Sequence, residues 1–263
     1  MLRQRIGLFK LFGSAAPKKF KRFEPFATES AKFYTGPNPF DAFTRLSIEF
    51  ETLNLGQAFP DFPAEPFIRN SIHRGLEVSK QKGSFREDGA DYLYQSLIEE
   101  CSKRHKRQLV RDNIMIAGGS TGVFSSFIGG NLEPNDEILL FDPTYFSWYA
   151  TSRLLDARVG CAELVQNGEG KLVFSPEKLR EVLSDKTRVL LLVNPCNPDG
   201  KVWTEEEFVQ LREVLEDYPR VLIYSDDVYN LLVYDGKKHV SCSTVSDLFD
   251  RTVTGYSGGK EFG

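Results

Sequence analysis

From Asn113 onward the chain alternates short, uniformly apolar runs with longer segments of helical period. The runs are "NIMIA", "DEILLFD", "RVGCAELV", "TRVLLLVNP", "RVLIYSDD" and "RTVTGYSG". Between them lie "STGVFSSFIGGNL", "TYFSWYATSRLLDA", "PEKLREVLSD" and "EEEFVQLREVLEDY". Runs such as "RVLLLV" and "RVLIYS" are apolar at every position, not at every second one, as expected of strands covered on both faces. Strands alternating with helices in this way predict an α/β domain with a mostly parallel sheet and helices on both sides.

Upstream the pattern is helical. "NPFDAFTRLSIEF" has the period of a helix and a proline suited to its first turn. After the Gly/Pro loop "TLNLGQAFPDFP", two more helices are predicted over "PFIRNSIHRGLEVSK" and "DGADYLYQSLIEECSKRHKRQ", the latter with Leu93, Leu97 and Ile98 on one face. No internal repeat or low-complexity segment interrupts the chain. It reads as one large domain over 76–263, an N-terminal segment over 38–75 that belongs elsewhere, and a tail over 1–37.

Composition removes several classes. With 27% charged and 41% hydrophobic residues, the 263-residue chain can bury a core, and a net charge of −4 provides no basic field for nucleic acid. No long uncharged apolar stretch predicts a membrane span. Cys101, Cys161, Cys196 and Cys242 lack CxxC spacing, and His73, His105 and His239 stand alone, so a reducing compartment is expected and a metal site is not. The start "MLRQRIGLFKLFGSAAPKKFKRF" has no acid before Glu24. It fits a mitochondrial presequence or a basic tail on a cytoplasmic protein.

In open parallel sheets ligands bind beyond the carboxyl ends of the strands, so the residues following each apolar run carry the chemistry. After "NIMIA" come Gly118, Gly119, Ser120 and Thr121, opening a helix whose free N–H groups and two hydroxyls could cradle a phosphate. Tyr145 follows "ILLFD". Asn194-Pro195-Cys196-Asn197-Pro198 follows "RVLLLV", two Asn-Pro turns that hold an amide rigidly. Asp226, Asp227 and Tyr229 follow "VLIYS", and Ser257 and Lys260 follow "TVTGY".

Taken singly, each has a plainer reading: a tight connection, a helix cap, a solvated charge. Together they describe a pocket for a planar, phosphorylated aromatic aldehyde, and pyridoxal 5′-phosphate is such a molecule. An amine such as Lys260 condenses with the aldehyde, an acid such as Asp226 keeps the pyridine nitrogen protonated, and Asn197 and Tyr229 can bond the ring oxygen.

These residues also match a known family. "NPCNPDGKV", "SDDVYNLLVYDG" and "SGGKEFG" resemble the Asn-Pro-x-Asn-Pro-x-Gly, Asp-x-x-Tyr and Ser-x-x-Lys motifs of fold type I, class I/II aminotransferases, and "LNLGQAFPDFP" resembles the kynurenine aminotransferase, glutamine transaminase K and cysteine-conjugate β-lyase branch. The resemblance runs from about Asn38 to the end. It implies Lys260 as the Schiff-base lysine, Asp226 at the pyridine nitrogen, and Asn197 with Tyr229 at the ring oxygen. It further implies Ser120, Thr121 and Ser257 at the phosphate, Tyr145 on the ring and Gly56 against the substrate. The residues 38–75 become the start of a small domain, the partners an amino acid and a 2-oxo acid, and the full-length form a homodimer.

Three departures stand out. Ser84 and Phe85 occupy the stretch where the family places a tyrosine that reaches the neighbouring subunit's phosphate. Asp227 stands where a glutamate is usual. The sequence ends three residues after Lys260, before the family's carboxylate-clamping arginine, so the expectation is a truncated chain of weak or no activity, or a non-catalytic subunit that pairs with a full-length homologue. A rival reading rests on Tyr256 and Lys260, which form YxxxK with Ser243 thirteen residues before the tyrosine, imitating the Ser-Tyr-Lys set of short-chain dehydrogenases.

Overall fold

A computed structural model describes residues 39–57, 62–78 and 90–262. Five parallel strands form the main sheet: β1 (Glu137–Asp142), β2 (Arg158–Glu163), β5 (Thr187–Val193), β6 (Leu222–Asp226) and β7 (Thr252–Gly255), in the order β2-β1-β5-β6-β7. The short strands β3 (Val165–Gln166) and β4 (Leu172–Val173) make a separate antiparallel pair. Neighbouring strands are parallel, so each crossover runs through other structure, with an α-helix in three of the four and 3-10 turns in the one from β6 to β7.

The helices flank the sheet as the pattern predicts. They are α4 (Gly119–Asn131), α5 (Phe146–Leu154), α6 (Pro176–Val182) and α7 (Glu205–Leu215), preceded by α1 (Pro39–Glu49), α2 (Pro66–Val78) and α3 (Ala90–Arg104), and followed by α8 (Gly258–Glu261). Alternate residues of each strand enter opposite cores. Ile138, Leu140, Val189, Leu191 and Tyr224 pack with Phe124, Ile128 and Trp148 of α4 and α5. Leu139, Phe141, Leu190, Leu192 and Ile223 pack with Trp203 and with Phe208 and Leu211 of α7. This two-sided burial is why these strands show no polar alternation, and each large side chain buried contributes about 1.5–3 kcal/mol.

Helix starts follow local chemistry. Ser175 accepts from the Lys178 amide to begin α6, and at α7 Thr204 and Glu207 form a reciprocal capping box. Glu207 serves twice, because its Oε1 also accepts from the Phe174 amide and from Lys201 at 2.5 Å. The loop after β5 is thereby tied to α7.

One expectation fails. "NIMIA" is not a strand: a 3-10 turn covers Arg111–Asn113, and the residues after it run to Gly118 without a ladder partner. A short apolar run looks the same in sequence whether it joins a sheet or lies half-buried on the way into a helix. α1 touches the main domain where Phe40 meets Phe146, ring centroids 5.3 Å apart, while Phe43, Ile48 and Phe50 are exposed. Among the described residues no helix is long and apolar enough to cross a membrane. The expectations for the basic N-terminal tail and for Ser84 and Phe85 lie outside the described residues.

Candidate active site

β6 ends in Asp226, and the turn that follows carries Asp227, Tyr229 and Asn230. The Asp226 carbonyl accepts from the Asn194 amide at 2.9 Å, which locks this turn to the one after β5. Asn194 spends both ends of its own amide on structure: Nδ2 donates to the Val240 carbonyl at 2.8 Å, and Oδ1 accepts from the Trp203 amide at 3.0 Å. The second Asn-Pro turn is therefore the one left to face a ligand. Its Asn197 Nδ2 donates to the Tyr229 hydroxyl at 3.4 Å.

Lys260 stands on α8 with Nζ 5.7 Å from the centre of the Tyr229 ring, so the structure joins Asn197, Tyr229 and Lys260 in one group. The lysine is exposed and its amide donates to the Ser257 carbonyl at 3.0 Å. A cavity of about 370 Å³ borders this group on the side of Asn197, Tyr229, Tyr234 and Lys237.

The starts of α4 and α5 carry Ser120, Thr121 and Tyr145, which do not line that cavity. The Tyr224 hydroxyl of β6 donates to the Ser120 carbonyl at 3.2 Å, which fixes the first turn of α4 against the sheet, and α4 also lies against β7. Gly119 has φ +77, a left-handed conformation that suits glycine, and the chain turns there to present Ser120 and Thr121. Tyr145 precedes α5 and packs edge-on to Trp148, ring centroids 6.3 Å apart. Ser257 follows β7. Gly56 is placed differently: it is exposed, its amide donates to Asn54 Oδ1 at 3.0 Å, and it lines a hollow with Phe43, Leu46 and Phe50 of α1 and the loop after it.

Asp226 is the electrostatic centre. It is 3% exposed, and its Oδ1 is buried with no hydrogen-bond partner. Burial, then the neighbouring Asp227, push its carboxyl up to about 7, while the Val228 amide, the Trp148 indole and Lys260 oppose them. A buried acid left unpaired is costly unless a cationic N–H is to meet it. A protonated pyridine nitrogen is such a group, so the residues present fit pyridoxal phosphate. Asp227 is held differently: Ser225 Oγ donates to its Oδ1 at 2.5 Å, and its Oδ2, which makes no hydrogen bond, lies 3.1 Å from His239 Nε2.

The dehydrogenase-like triplet is taken apart by the same geometry. Ser243 Oγ bonds His105 Nδ1 and lies 3.1 Å from Ser241 Oγ, and Tyr256 reaches the other nitrogen of His105 at 3.3 Å. Lys260 points to Tyr229 instead. Sequence reading missed Glu261, Arg104 and Asn230, which converge beside Lys260; a lone glutamate and a helix arginine 157 positions apart leave no local signal.

The architecture and this strand-end constellation define a fold type I transferase. Over 90% of its length the chain matches N-succinyldiaminopimelate aminotransferase from Mycobacterium tuberculosis with a TM-score of 0.81 and 22% identity, covering 61% of that chain. The chain belongs to the class I and II aminotransferases, whose family model matches residues 51–263. Among curated relatives, kynurenine–oxoglutarate transaminase of Dictyostelium discoideum is 28% identical over 242 residues, 86% of this chain and 55% of the relative. Kynurenine–oxoglutarate transaminase 3 of Mus musculus is 28% identical over 228 residues, 84% and 50% respectively. The chain thus spans about half the length of these relatives.

Proposed function

We propose that this chain binds pyridoxal phosphate and takes part in moving an amino group between an amino acid and a 2-oxo acid. The observation that carries the reading is Asp226, a buried carboxylate with an unpartnered oxygen at the end of β6, in the turn that also presents Tyr229 to Lys260. Lys260 would hold the cofactor, Asp226 its ring nitrogen, and Asn197 with Tyr229 its ring oxygen. Ser120, Thr121 and Ser257 would take the phosphate and Tyr145 the ring face. When bound, the cofactor supplies an electron sink beside the substrate Cα.

The residues themselves do the rest. Lys260 Nζ, as a free amine, would take the proton from the substrate Cα and hold it for return as a general acid. Asp226 keeps a positive charge stable on the ring nitrogen, and its burial strengthens that interaction. The Asn197–Tyr229 pair stabilises negative charge on the ring oxygen.

The kynurenine–oxoglutarate transaminases among its relatives support a kynurenine-like amino donor with a 2-oxo acid acceptor; a glutamine or aromatic donor, and Gly56 on the substrate side, rest on the sequence resemblance. A homodimer is part of the same reading. The test is the visible spectrum of the chain with pyridoxal phosphate before and after borohydride, beside Lys260→Ala. A reducible band lost in the variant, with the label mapped to Lys260, is expected; soluble, folded protein with no band overturns the reading.

A further inference from the structure

Next to Lys260, Glu261 turns away from the pocket and into the protein, where its side chain is 8% exposed. It accepts from Arg104 Nη1 at 2.7 Å and Nη2 at 3.3 Å, the two-pronged geometry in which guanidinium holds carboxylate most firmly. A further bond comes from Asn230 Nδ2 at 2.8 Å. Burial alone would raise this carboxyl, but the Arg104 and Asn230 bonds hold it below its usual value, so it stays charged.

Each partner is itself anchored. Asn230 Nδ2 and its amide both donate to the Asp227 carbonyl, at 2.9 and 3.0 Å, which fastens the residue to the turn that presents Asp226 and Tyr229. Arg104 ends α3, bonds Glu100 at 3.0 Å through Nε, and lies over the Tyr256 ring at 4.9 Å. Tyr256 in turn reaches His105. Glu261 therefore links three elements, α3, the turn after β6 and α8, at the residue adjoining the reactive amine.

The need for such a link is clear from α8 itself. It has four residues, opens on Gly258 and Gly259, and its N-cap Ser257 makes no side-chain cap bond. A helix this short does not hold its own shape, and two glycines loosen it further. Without an outside tie the Lys260 backbone would sample many positions relative to Asp226 and Tyr229.

We infer that Glu261 is a positioning residue for Lys260: through Arg104 and Asn230 it sets the backbone of α8 so that Nζ meets the aldehyde carbon of the cofactor. This rests on the proposed function. In the step concerned the amine nitrogen bonds the aldehyde carbon and the aldehyde oxygen leaves as water. Glu261 touches neither atom, so its effect is on how often the amine is in reach. Misplacement of a reacting group by about an ångström slows a reaction by roughly 100-fold, and a partial loss of the tie gives less.

The experiment compares two quantities in the full 263-residue chain. Non-covalent binding of pyridoxal phosphate is measured by tryptophan quenching in a Lys260→Ala background, with and without Glu261→Ala. The rate of adduct formation at Lys260 is measured by borohydride trapping and mass spectrometry in Glu261→Ala, Glu261→Gln and the parent. Expected is a trapping rate about tenfold lower in Glu261→Ala, with partial recovery in Glu261→Gln, whose single amide oxygen can still accept from Arg104 Nη1 and Asn230 but not from Arg104 Nη2 and which lacks the charge, while non-covalent affinity stays within about twofold. Equal trapping rates in all three chains overturn the inference and leave the proposed function standing. Parallel loss of binding and trapping, or unfolding of Glu261→Gln by circular dichroism, assigns Glu261 to general stability and also overturns it. A parent chain that forms no adduct defeats the proposed function and this inference together.

Discussion

The Tyr224 hydroxyl donates to the carbonyl of Ser120 across 3.2 Å, joining the third position of β6 to the first turn of α4. Tyr224 is buried among Phe124, Phe127 and Trp148, so its ring is fixed and only its hydroxyl has a polar task. Gly255 on β7 makes room for it: a methyl group there would collide with that hydroxyl. Gly255→Ala is expected to destabilise the chain by about 1–3 kcal/mol, as over-packing does, and to weaken pyridoxal phosphate binding by shifting Ser120. Tyr224→Phe, which removes only the bond, costs about 1 kcal/mol. Urea unfolding and a cofactor titration on both variants check the pair.

Asp226 makes stability depend on pH in an unusual direction. Its carboxyl is pushed up to about 7 in the folded chain from an ordinary value of 3.8. Below the lower value both states are protonated; between the two the native state keeps a proton that the unfolded state has released, so stability falls as pH rises through this window and is lowest above about 7. Asp226→Asn is expected to flatten that fall and to raise stability of the cofactor-free chain at pH 8 by on the order of a few kcal/mol, while abolishing tight cofactor binding. Melting temperatures from pH 4 to about 8 decide it; a parallel pH profile in the variant defeats the assignment.

In the proposed site Tyr229 and Asn197, whose side chains bond one another, would face the ring oxygen of the cofactor. A donor that stabilises the charged oxygen lowers the pH at which it titrates, so Tyr229→Phe is expected to move the midpoint of the bound-cofactor absorbance upward by about one pH unit. A spectrophotometric titration of the two chains measures it.

Lys201 and Glu207, both nearly buried, meet at 2.5 Å and hold the second Asn-Pro turn to α7. Lys201→Met leaves the glutamate charged without its cation. A loss of about 3–5 kcal/mol is expected, the cost of an uncompensated buried charge, measured by chemical denaturation.

How much of this was legible beforehand differs from element to element. β5 and β6 were, because an unbroken apolar run has few explanations other than a strand covered on both faces, and the two cores that receive Leu190 and Leu191 from opposite sides are that explanation realised. α7 was legible at its start, where Thr204 and Glu207 are three residues apart and cap one another. "NIMIA" was misread because an apolar stretch carries no record of whether it has a ladder partner.

At the site the order of residues names the chemical groups available: a glycine-rich helix start, then an amide, an acid, a phenol and an amine, the last four at or beyond the ends of β5, β6 and β7 on one edge. That order follows from chain connectivity in a parallel sheet, so it can be read from one dimension. What each group is worth depends on what the fold packs around it. Asp226 and Asp227 are adjacent and identical in type, yet burial pushes the Asp226 carboxyl up to about 7, while Asp227 holds a hydrogen bond from Ser225 and has His239 3.1 Å away. Lys260 and Glu261 are likewise adjacent, yet one faces solvent and the other is gripped by Arg104 from α3. Desolvation and long-range pairing depend on what folding brings around a residue, and neither leaves a mark on its neighbours in sequence.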